Sequence, residues 1–212
     1  MPVRGKFITF EGIDGSGKST QMRLLGERLR SGGSEVFETI EPGGTRIGQQ
    51  IRRILLDAAN QELHPTTELL LYFASRAQNV EQCIRPALAA GKIVLCDRFT
   101  DSTLAYQGYA RGLGPDTVAA LDRIACRGLI PDLTLLIDVD IETSRARMQS
   151  RNTAATFTET RLDDESNAFH QKVRNAYLTI ARENTSRVRV IDGRGTPEQV
   201  AGAVWENVSG HV

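Results

Sequence analysis

Short apolar runs alternate with amphipathic stretches along most of this chain. The runs are rich in β-branched residues and mostly continuous, and they lie at 7–11, 35–40, 93–96, 133–139 and 188–191. Continuous runs of this kind are typical of strands that are buried on both faces of a parallel sheet. We therefore predict five parallel strands.

Helical spacing of apolar residues predicts helices between these runs, at 19–31, 46–59, 66–90, 116–127, 141–150, 163–183 and 197–208. Pro86 is expected to kink the third helix near its end. Strands that alternate with helices predict an α/β fold, a five-stranded parallel sheet flanked by helices. The threonine- and alanine-rich stretch at 151–160 has no apolar periodicity, and we predict a flap there.

The composition narrows the class of protein. The 212 residues suit one domain, taken as 1–212. The 26 basic and 26 acidic residues balance, so no general attraction to nucleic acid or to an anionic membrane is expected. Three cysteines without a CxxC pair argue against a disulfide framework or a zinc site. No apolar segment approaches the length of a membrane span. We expect a soluble, cytoplasmic protein.

The sequence GIDGSGKS at 12–19 predicts a phosphate-binding loop, because it follows the first apolar run and precedes the first helix. Its glycines let the backbone curl so that successive N–H groups converge on an anion at a helix N-terminus. Lys18 adds a positive charge for the outer phosphates, and Ser19 offers a hydroxyl to a magnesium ion that bridges two of them. Phosphoryl transfer and nucleotide hydrolysis both fit this loop.

An acid and a base, Asp97 and Arg98, follow the third apolar run. Ligands of open α/β sheets gather at the carboxyl ends of the strands, where the phosphate loop also lies. Asp97 is thus placed to orient Ser19 or a magnesium-bound water, and Arg98 to clamp a second anion. The alternative is a surface ion pair that closes a strand.

Two further segments carry polar groups that suit a second ligand. Tyr72 and Arg76 lie four residues apart on one helical face, which suits stacking on a base and hydrogen bonding to its edge. The alternative is a core aromatic residue beside an arginine whose head reaches solvent. The polar stretch at 101–108 follows Arg98 and is able to line a pocket, although it also reads as an ordinary loop and helix start.

Taken in order, these segments resemble the thymidylate kinase family over nearly the whole chain. The matching motifs are FEGIDGSGKST at 10–20, EPGGT at 41–45, YFASR at 72–76, Asp97-Arg98, STLAYQG at 102–108 and RLDDES at 161–166. The chain is similar to the bacterial type, because Gly15 stands where the eukaryotic type has an arginine. In the bacterial type a lid over ATP supplies that charge, and the lid corresponds to about 147–161 here.

The resemblance implies the phosphorylation of dTMP to dTDP by ATP with Mg2+, a homodimer and a set of site residues. The implied catalytic residues are Asp14, Lys18, Arg98 and Arg151. The implied ATP-binding residues are Gly12, Ile13, Asp14, Gly15, Ser16, Gly17, Lys18, Ser19, Thr20, Arg147 and Arg161. The implied metal-binding residues are Ser19, Asp97 and Asp163. Which lid arginine supplies the transition-state charge, Arg147, Arg151 or Arg161, stays open.

The resemblance also implies a dTMP site. Its residues are Glu41, Arg52, Tyr72, Phe73, Arg76, Arg98, Thr103, Tyr106 and Gln107. Tyr72 is expected to stack on thymine, in preference to Phe73, which we place off the helical face of Arg76. Arg76 and Gln107 are expected to read the polar edge of the base with help from Thr103, and Tyr106 to crowd the 2′ position of the sugar.

Two rival functions are compatible with the phosphate loop. One is another small-molecule kinase of the same fold, such as a different nucleoside monophosphate kinase or a shikimate-like kinase. The other is a nucleotide-dependent switch, which the sequence disfavours because it has no NKxD guanine-reading motif and no LSGGQ-like signature. Nucleic-acid binding is disfavoured because the chain has no basic stripe.

Overall fold

A five-stranded parallel sheet forms the centre of the computed structural model, which describes residues 4–152, 161–162 and 165–212. The strands are β1 (Phe7–Glu11), β2 (Val36–Ile40), β3 (Ile93–Asp97), β4 (Leu133–Asp138) and β5 (Val188–Asp192). Their order across the sheet is β2-β3-β1-β4-β5, and every pair is parallel. The predicted fold class is confirmed, and each predicted strand agrees with the observed one to within one residue at either end.

Helices cover both faces of this sheet. They are α1 (Lys18–Ser31), α2 (Arg46–Leu56), α3 (Pro65–Asn79), α4 (Arg85–Ala89), α5 (Thr100–Thr103), α6 (Pro115–Cys126), α7 (Ile141–Asn152), α8 (Asn167–Glu183) and α9 (Pro197–Val208). Phe7 of β1 packs into a core with α3, α4 and α6, whereas Ile8 packs into a core with α1 and α9. Successive residues of a strand point to opposite faces, so one apolar run is buried on both sides.

Two π-helical segments interrupt the helical regions of the described ranges. The first, Val80–Ile84, joins α3 to α4, so the single helix predicted at 66–90 is in fact three segments. The interruption comes immediately before Pro86, whose ring excludes an ordinary α-helical hydrogen bond. The second, Leu104–Ala110, continues α5. For 101–108 the sequence offered a helix start only as the alternative to a pocket-lining stretch, and it gave no helix bounds there.

Smaller corrections concern helix ends. Helix α2 ends at Leu56 and not at 59. Helix α8 begins at Asn167 and not at 163, because the Ser166 hydroxyl accepts a hydrogen bond from the amide of Phe169 and caps the helix. All three cysteines are free, with Cys96 and Cys126 buried and Cys83 partly exposed. Within the described ranges, every helix falls short of the length and apolar character needed to cross a bilayer.

The sheet order determines which loops meet. β1 and β3 are hydrogen-bonded neighbours, with Phe10 opposite Asp97. The phosphate loop follows β1 and Arg98 follows β3, so parallel pairing brings both to the same edge of the sheet. The predicted meeting of these two motifs is confirmed.

Candidate active site

The phosphate loop connects β1 to α1 with glycines in left-handed conformations. Gly15 has φ 72°, and a Cβ at this position would lie 2.4 Å from the carbonyl oxygen of Ser144 in α7. No side chain fits there without a shift of α7, which gives a physical reason for glycine at the loop position that Gly15 occupies. Ser144 also donates a hydrogen bond of 2.7 Å to the carbonyl of Asp14, so α7 lies directly against the loop.

Lys18 and Ser19 begin helix α1 at the end of the loop. Lys18 is buried, and its Nζ donates a hydrogen bond of 3.0 Å to the carbonyl of Ile13. Burial and the nearby Arg98 lower the pKa of Lys18 to about 8, although Asp14 opposes the shift. The Ser19 hydroxyl donates to Asp97 across 2.5 Å. The predicted proximity of Ser19 and Asp97 is therefore observed.

Arg98 connects the phosphate loop to α5, the helix that follows β3. Its Nη2 lies 2.7 Å from the Asp14 carboxylate, and its Nη1 donates to the carbonyl of Gly12 at 3.0 Å and to Ser102 at 3.1 Å. The backbone of Arg98 has φ 68°, a left-handed conformation that is unusual for a residue with a side chain. A strained backbone that is held by several hydrogen bonds is typical of a functional position.

Tyr106 completes the contact between the two segments. Its hydroxyl donates to Asp14 at 2.9 Å, and the Arg98 guanidinium lies 5.1 Å from the centre of its ring. Burial would raise the pKa of Asp14, but Arg98, Lys18 and the Tyr106 hydroxyl together hold that pKa below its usual range. The Asp14 carboxylate therefore stays ionised near neutral pH.

A buried carboxyl group, Glu11, underlies this arrangement and was not predicted as a site residue. It accepts hydrogen bonds from the amide of Phe99 at 2.7 Å, from Ser102 at 2.5 Å and from the Tyr177 hydroxyl at 3.1 Å. The Tyr177 hydroxyl in turn accepts a hydrogen bond of 3.1 Å from Arg98 Nη1, so Tyr177 connects Glu11 to Arg98. Burial raises the pKa of Glu11 to about 7, with Asp101 acting in the same direction. A glutamate at the end of a fully buried strand was the signal in the sequence, whereas nothing there pointed to Tyr177.

Arg76 of α3 is the largest buried side chain near the second half of the site. It is 1% exposed, and its Nη2 donates to Thr103 at 2.9 Å and to the carbonyl of Phe99 at 3.2 Å. Its Nε and Nη1 have no hydrogen-bond partner in the described part of the chain. Its guanidinium lies 5.0 Å from the ring centre of Phe73. The expectation that Phe73 lies off the face of Arg76 was wrong, because residues three apart on a helix are neighbours.

The turn that precedes α2 is bound to α3. Glu41 accepts a hydrogen bond of 2.7 Å from Asn79 and lies 3.6 Å from Arg76. Burial raises the pKa of Glu41 to about 7, although Arg76 partly opposes this shift. Arg52 of α2 donates to the carbonyl of Pro42 at 3.0 Å. Glu41, Arg52 and Arg76 thus meet where the sequence placed an acceptor pocket.

Gln107 lies on the second π segment and Tyr72 lies on α3, in the same half of the site. The side-chain amide of Gln107 donates to Glu68 of α3 across 2.8 Å. Tyr72, four residues after Glu68, is 8% exposed and packs against Leu55 and Leu56. Burial and the adjacent Glu68 raise the pKa of the Tyr72 phenol, which keeps the ring neutral.

Arg161 lies away from the position expected of it. It is 6% exposed, and it donates to Glu68 at 2.6 Å and to the carbonyl of Leu55 at 2.5 Å. Both partners belong to α2 and α3, so the structure corrects the expectation that Arg161 lies beside the ATP phosphates. The physical reason is that a buried carboxylate such as Glu68 requires a cationic partner.

Arg147 of α7 lies on the phosphate-loop side, as predicted. It donates to the carbonyls of Ser16 at 3.3 Å and Gly193 at 3.0 Å. With Thr20 and Pro197 these residues line a cavity of about 220 Å³. The predicted lid at 147–161 and Asp163 lie largely outside the described residues, and so does the side chain of Arg151.

Comparisons with known proteins identify the family. A family model described as thymidylate kinase matches residues 10–204. The thymidylate kinase of Geotalea uraniireducens is 51% identical over 201 residues, which is 94% of each chain. That of Pelobacter propionicus is 51% identical over 205 residues, covering 96% of this chain and 94% of that protein. The crystal structure of thymidylate kinase from Ehrlichia chaffeensis superposes with a TM-score of 0.78 at 35% identity, covering 97% of this chain and 99% of that one.

The chain belongs to the thymidylate kinase family. The resemblance drawn from its motifs is thereby confirmed, and the P-loop nucleoside monophosphate kinase fold with it. Members of the thymidylate kinase family phosphorylate dTMP to dTDP with ATP as the donor, and this chain is such an enzyme. The rival interpretation as a nucleotide-dependent switch is set aside.

Proposed function

We propose that the γ-phosphoryl group of ATP passes to dTMP at Arg98, between the phosphate loop on one side and α3 with α5 on the other. The observation that carries this proposal is the set of contacts that Arg98 makes with both sides, to Gly12 and Asp14 of the loop and to Ser102 and Tyr106 beyond β3. A guanidinium in this position neutralises charge on both phosphate chains as they approach each other.

The donor side takes the ATP phosphates. Successive loop N–H groups from Gly12 to Thr20 and the Lys18 ammonium suit the phosphate oxygens. The cavity beside Arg147 is adjacent to the loop and open enough for the adenine ring, with Pro197 contributing an apolar wall. Ser16 supports this assignment, because its hydroxyl is buried without a hydrogen-bond partner among the described residues.

The groups that face the phosphates suit Mg2+. Ser19 and Asp97 supply a hydroxyl and a carboxylate that already contact each other. Within the described ranges no cluster of three or more acidic, histidine or cysteine side chains forms a metal cage. Mg2+ is commonly held by one or two protein oxygens together with substrate phosphates and water, so this small donor set fits it. Asp163, which we also propose as a metal-binding residue, lies outside the described residues. When bound, the ion neutralises charge on the phosphates.

The acceptor side takes dTMP. Tyr72 supplies a neutral aromatic face for the thymine ring, and the unpartnered Nη1 of Arg76 suits the O4 oxygen. Thr103 and Gln107 lie one turn apart on the opposite segment and complete the edge of the base. Phe73 packs behind Arg76 and not against the base.

The remaining acceptor groups face the sugar and the phosphate of dTMP. Tyr106 crowds the 2′ position, which disfavours a ribonucleotide, and Asp14 lies near enough to it to reach the 3′ hydroxyl. Glu41 and Arg52 shape the wall of the pocket beside the turn that carries Pro42.

The reaction needs little covalent chemistry from the protein. An oxygen of the dTMP phosphate attacks the γ-phosphorus in line, the bond from that phosphorus to the bridging oxygen of ADP breaks, and the transferred group joins dTMP. The acceptor phosphate is already largely ionised at neutral pH, so no general base is required. Lys18, Arg98 and Arg151 of the lid are the positive groups we assign to the transition state.

A coupled assay that follows ADP release tests the proposal. With Mg-ATP, dTMP should give much faster release than dUMP, CMP, AMP or shikimate, and Lys18→Ala should abolish the activity. Preference for a different acceptor would point to another kinase of this fold. Slow ATP hydrolysis that no acceptor stimulates would instead revive the nucleotide-dependent switch.

We also propose that the enzyme forms a homodimer in the cytoplasm. Adjacent helices α2, α3 and α6 expose large apolar side chains, namely Ile47, Ile54, Leu70 and Ile124, at 43–74% exposure. Light scattering after gel filtration should give twice the mass of the chain. Leu70→Lys should yield monomers, whereas Val190→Lys, at a 49% exposed position on the edge strand β5, should leave the dimer intact. Three free cysteines suit a reducing compartment.

A further inference from the structure

Two helical segments of the acceptor side face each other through paired polar side chains. At one level, Arg76 of α3 donates to Thr103 across 2.9 Å. At the other, Gln107 of the second π segment donates to Glu68 of α3 across 2.8 Å. Tyr72 lies midway between Glu68 and Arg76 on α3, at helical spacing from both. The two contacts therefore flank the ring that we assign to base stacking.

The chemistry of Glu68 fixes the orientation of the Gln107 amide. A carboxylate only accepts hydrogen bonds, so the NH2 group of Gln107 must be the one that faces it. The amide oxygen of Gln107 then points away from Glu68. Within the described part of the chain, no group donates a hydrogen bond to that oxygen. Gln107 thus keeps its amide oxygen, an acceptor, for a ligand, while its NH2 end faces Glu68 and gives it one of two N–H groups.

Glu68 is itself held in place by two arginines. It is 1% exposed, and Arg161 lies 2.6 Å from its carboxylate while Arg111 lies 3.4 Å away. Two arginines compensate the buried charge, which would otherwise be costly. A rotated Glu68, which would let the Gln107 amide turn over, is therefore disfavoured.

We propose that Glu68 is a positioning residue that sets the base specificity of the acceptor site through Gln107. With its NH2 turned to Glu68, Gln107 presents an acceptor, which suits the N3–H of thymine. Cytosine has an acceptor at N3 and would face the Gln107 oxygen without a hydrogen bond. This inference rests on the proposed function, in which Gln107 reads the edge of the base.

The test compares kcat/KM for three acceptors in the wild type and in Glu68→Gln. A glutamine at 68 can donate to the Gln107 oxygen, which turns the amide and presents its NH2 to the base. We expect the dTMP-to-dCMP ratio to fall at least about 10-fold, mainly through a higher KM for dTMP. The dTMP-to-dUMP ratio should stay unchanged, because uracil carries the same N3–H and O4 as thymine.

Two further variants separate positioning from a general structural effect. The double variant Glu68→Gln with Gln107→Glu swaps the two side chains. The glutamine at 68 can donate to one oxygen of the glutamate at 107, and the other oxygen of that glutamate is an acceptor for the base, so the variant should recover most of the lost dTMP preference. Arg161→Met removes a cation from Glu68 but leaves the Gln107 contact, so its dTMP-to-dCMP ratio should match the wild type. If Glu68→Gln unfolds, the double variant Glu68→Gln with Arg161→Met takes its place in the comparison, because it removes the buried charge and one of its counter-charges together.

Opposite results would overturn the inference. It fails if the neutral residue at 68 leaves the dTMP-to-dCMP ratio unchanged, or if the dTMP-to-dUMP ratio falls equally, since a loosened pocket would affect both. It also fails if Arg161→Met alone reproduces the loss. A wild-type enzyme without dTMP activity would instead contradict the proposed function, so the two failures are distinguishable.

Discussion

The Asp14 carboxylate accepts one hydrogen bond from Arg98, at 2.7 Å, and one from the Tyr106 hydroxyl, at 2.9 Å. Asp14 belongs to the phosphate loop, whereas the other two residues follow β3. One carboxylate therefore joins the phosphate loop to the segment that follows β3, and the guanidinium of Arg98 lies beside it.

Arg98→Ala should lower kcat by about 10³-fold or more, because an arginine at the transition state of phosphoryl transfer contributes that much. Alanine has the same Cβ as arginine, so the left-handed backbone is strained equally and the variant tests the guanidinium alone. ATP affinity, measured by calorimetry, should be nearly unchanged, and Arg98→Lys should recover only part of the rate. Wild-type turnover in the alanine variant would exclude the role given to Arg98.

Tyr106→Phe should lower kcat by roughly 10-fold while the KM for dTMP changes little. The variant keeps the ring beside Arg98 but removes the hydroxyl that fixes Asp14, worth about 1–2 kcal/mol as a hydrogen bond to a charged group. Steady-state kinetics measure both constants. Rejection of the ribonucleotide should persist in Tyr106→Phe and weaken in Tyr106→Ala, because the bulk of the ring crowds the 2′ position. Equal discrimination in both variants would contradict that assignment.

Arg147→Ala and Arg161→Ala should differ in kind. Arg147 lines the cavity beside the loop, so its loss should raise the KM for ATP several-fold without a lower melting temperature. Arg161 is a buried partner of Glu68, so its loss should destabilise the fold by roughly 3 kcal/mol. Thermal unfolding and ATP titrations measure the two effects. If the two variants behaved alike, their separate placements would be in doubt.

The lid arginine assigned to the transition state gives a companion test. Arg151→Ala should reduce kcat more than it raises either KM, because the charge is needed only as the phosphoryl group moves. Arg145→Ala on α7 is the matched control, since it removes a charge from the same helix at a position with no assigned role. An equal effect of both substitutions on kcat would point to a general electrostatic contribution.

Glu11→Gln should change how stability depends on pH. Burial raises the pKa of Glu11 from 4.5 to about 7, so the folded protein binds an additional proton between these values and the group's contribution to stability falls as pH rises. The variant lacks this titration. Its free energy of unfolding relative to wild type should therefore rise by roughly 3 kcal/mol between pH 4.5 and 7.5.

Urea denaturation at several pH values measures this difference. Glu41 is present in both proteins and cancels, and the lowered pKa of Asp14 places its titration below this window. Glu41→Gln is the matched comparison, because burial raises its pKa to the same value, and it should give a similar trend. Parallel stability curves for wild type and Glu11→Gln would show that Glu11 keeps an ordinary pKa.

The sequence predicted the framework well because strands buried on both faces leave a strong apolar signal. It also predicted which loops meet, since parallel pairing brings strand ends to one edge, as Asp97 and Ser19 show. It offered only a helix start in this region and gave no bounds for the second π segment at Leu104–Ala110, whose polar residues carry no clear helical period.

Partners that are remote in the chain were out of reach. Tyr177 joins Glu11 across 166 positions, and nothing in a single sequence links the two. Glu68 lay at a predicted helical position but gave no sign of burial, and its three polar partners come from segments far along the chain. The same contact explains why Arg161 was misplaced, because a lid boundary read from the sequence does not reveal a buried counter-charge.

The first π segment carries a natural attachment site for a fluorescent label. Cys83 lies within it, and its sulfur is 3.8 Å from the carbonyl of Gly44 in the turn that precedes α2. The other two cysteines are buried, so a thiol-reactive dye has one accessible target without any engineering. Desolvation raises the pKa of the Cys83 thiol, so coupling calls for alkaline buffer. A fluorophore attached there would lie beside that turn and would report whether the turn moves when nucleotides bind.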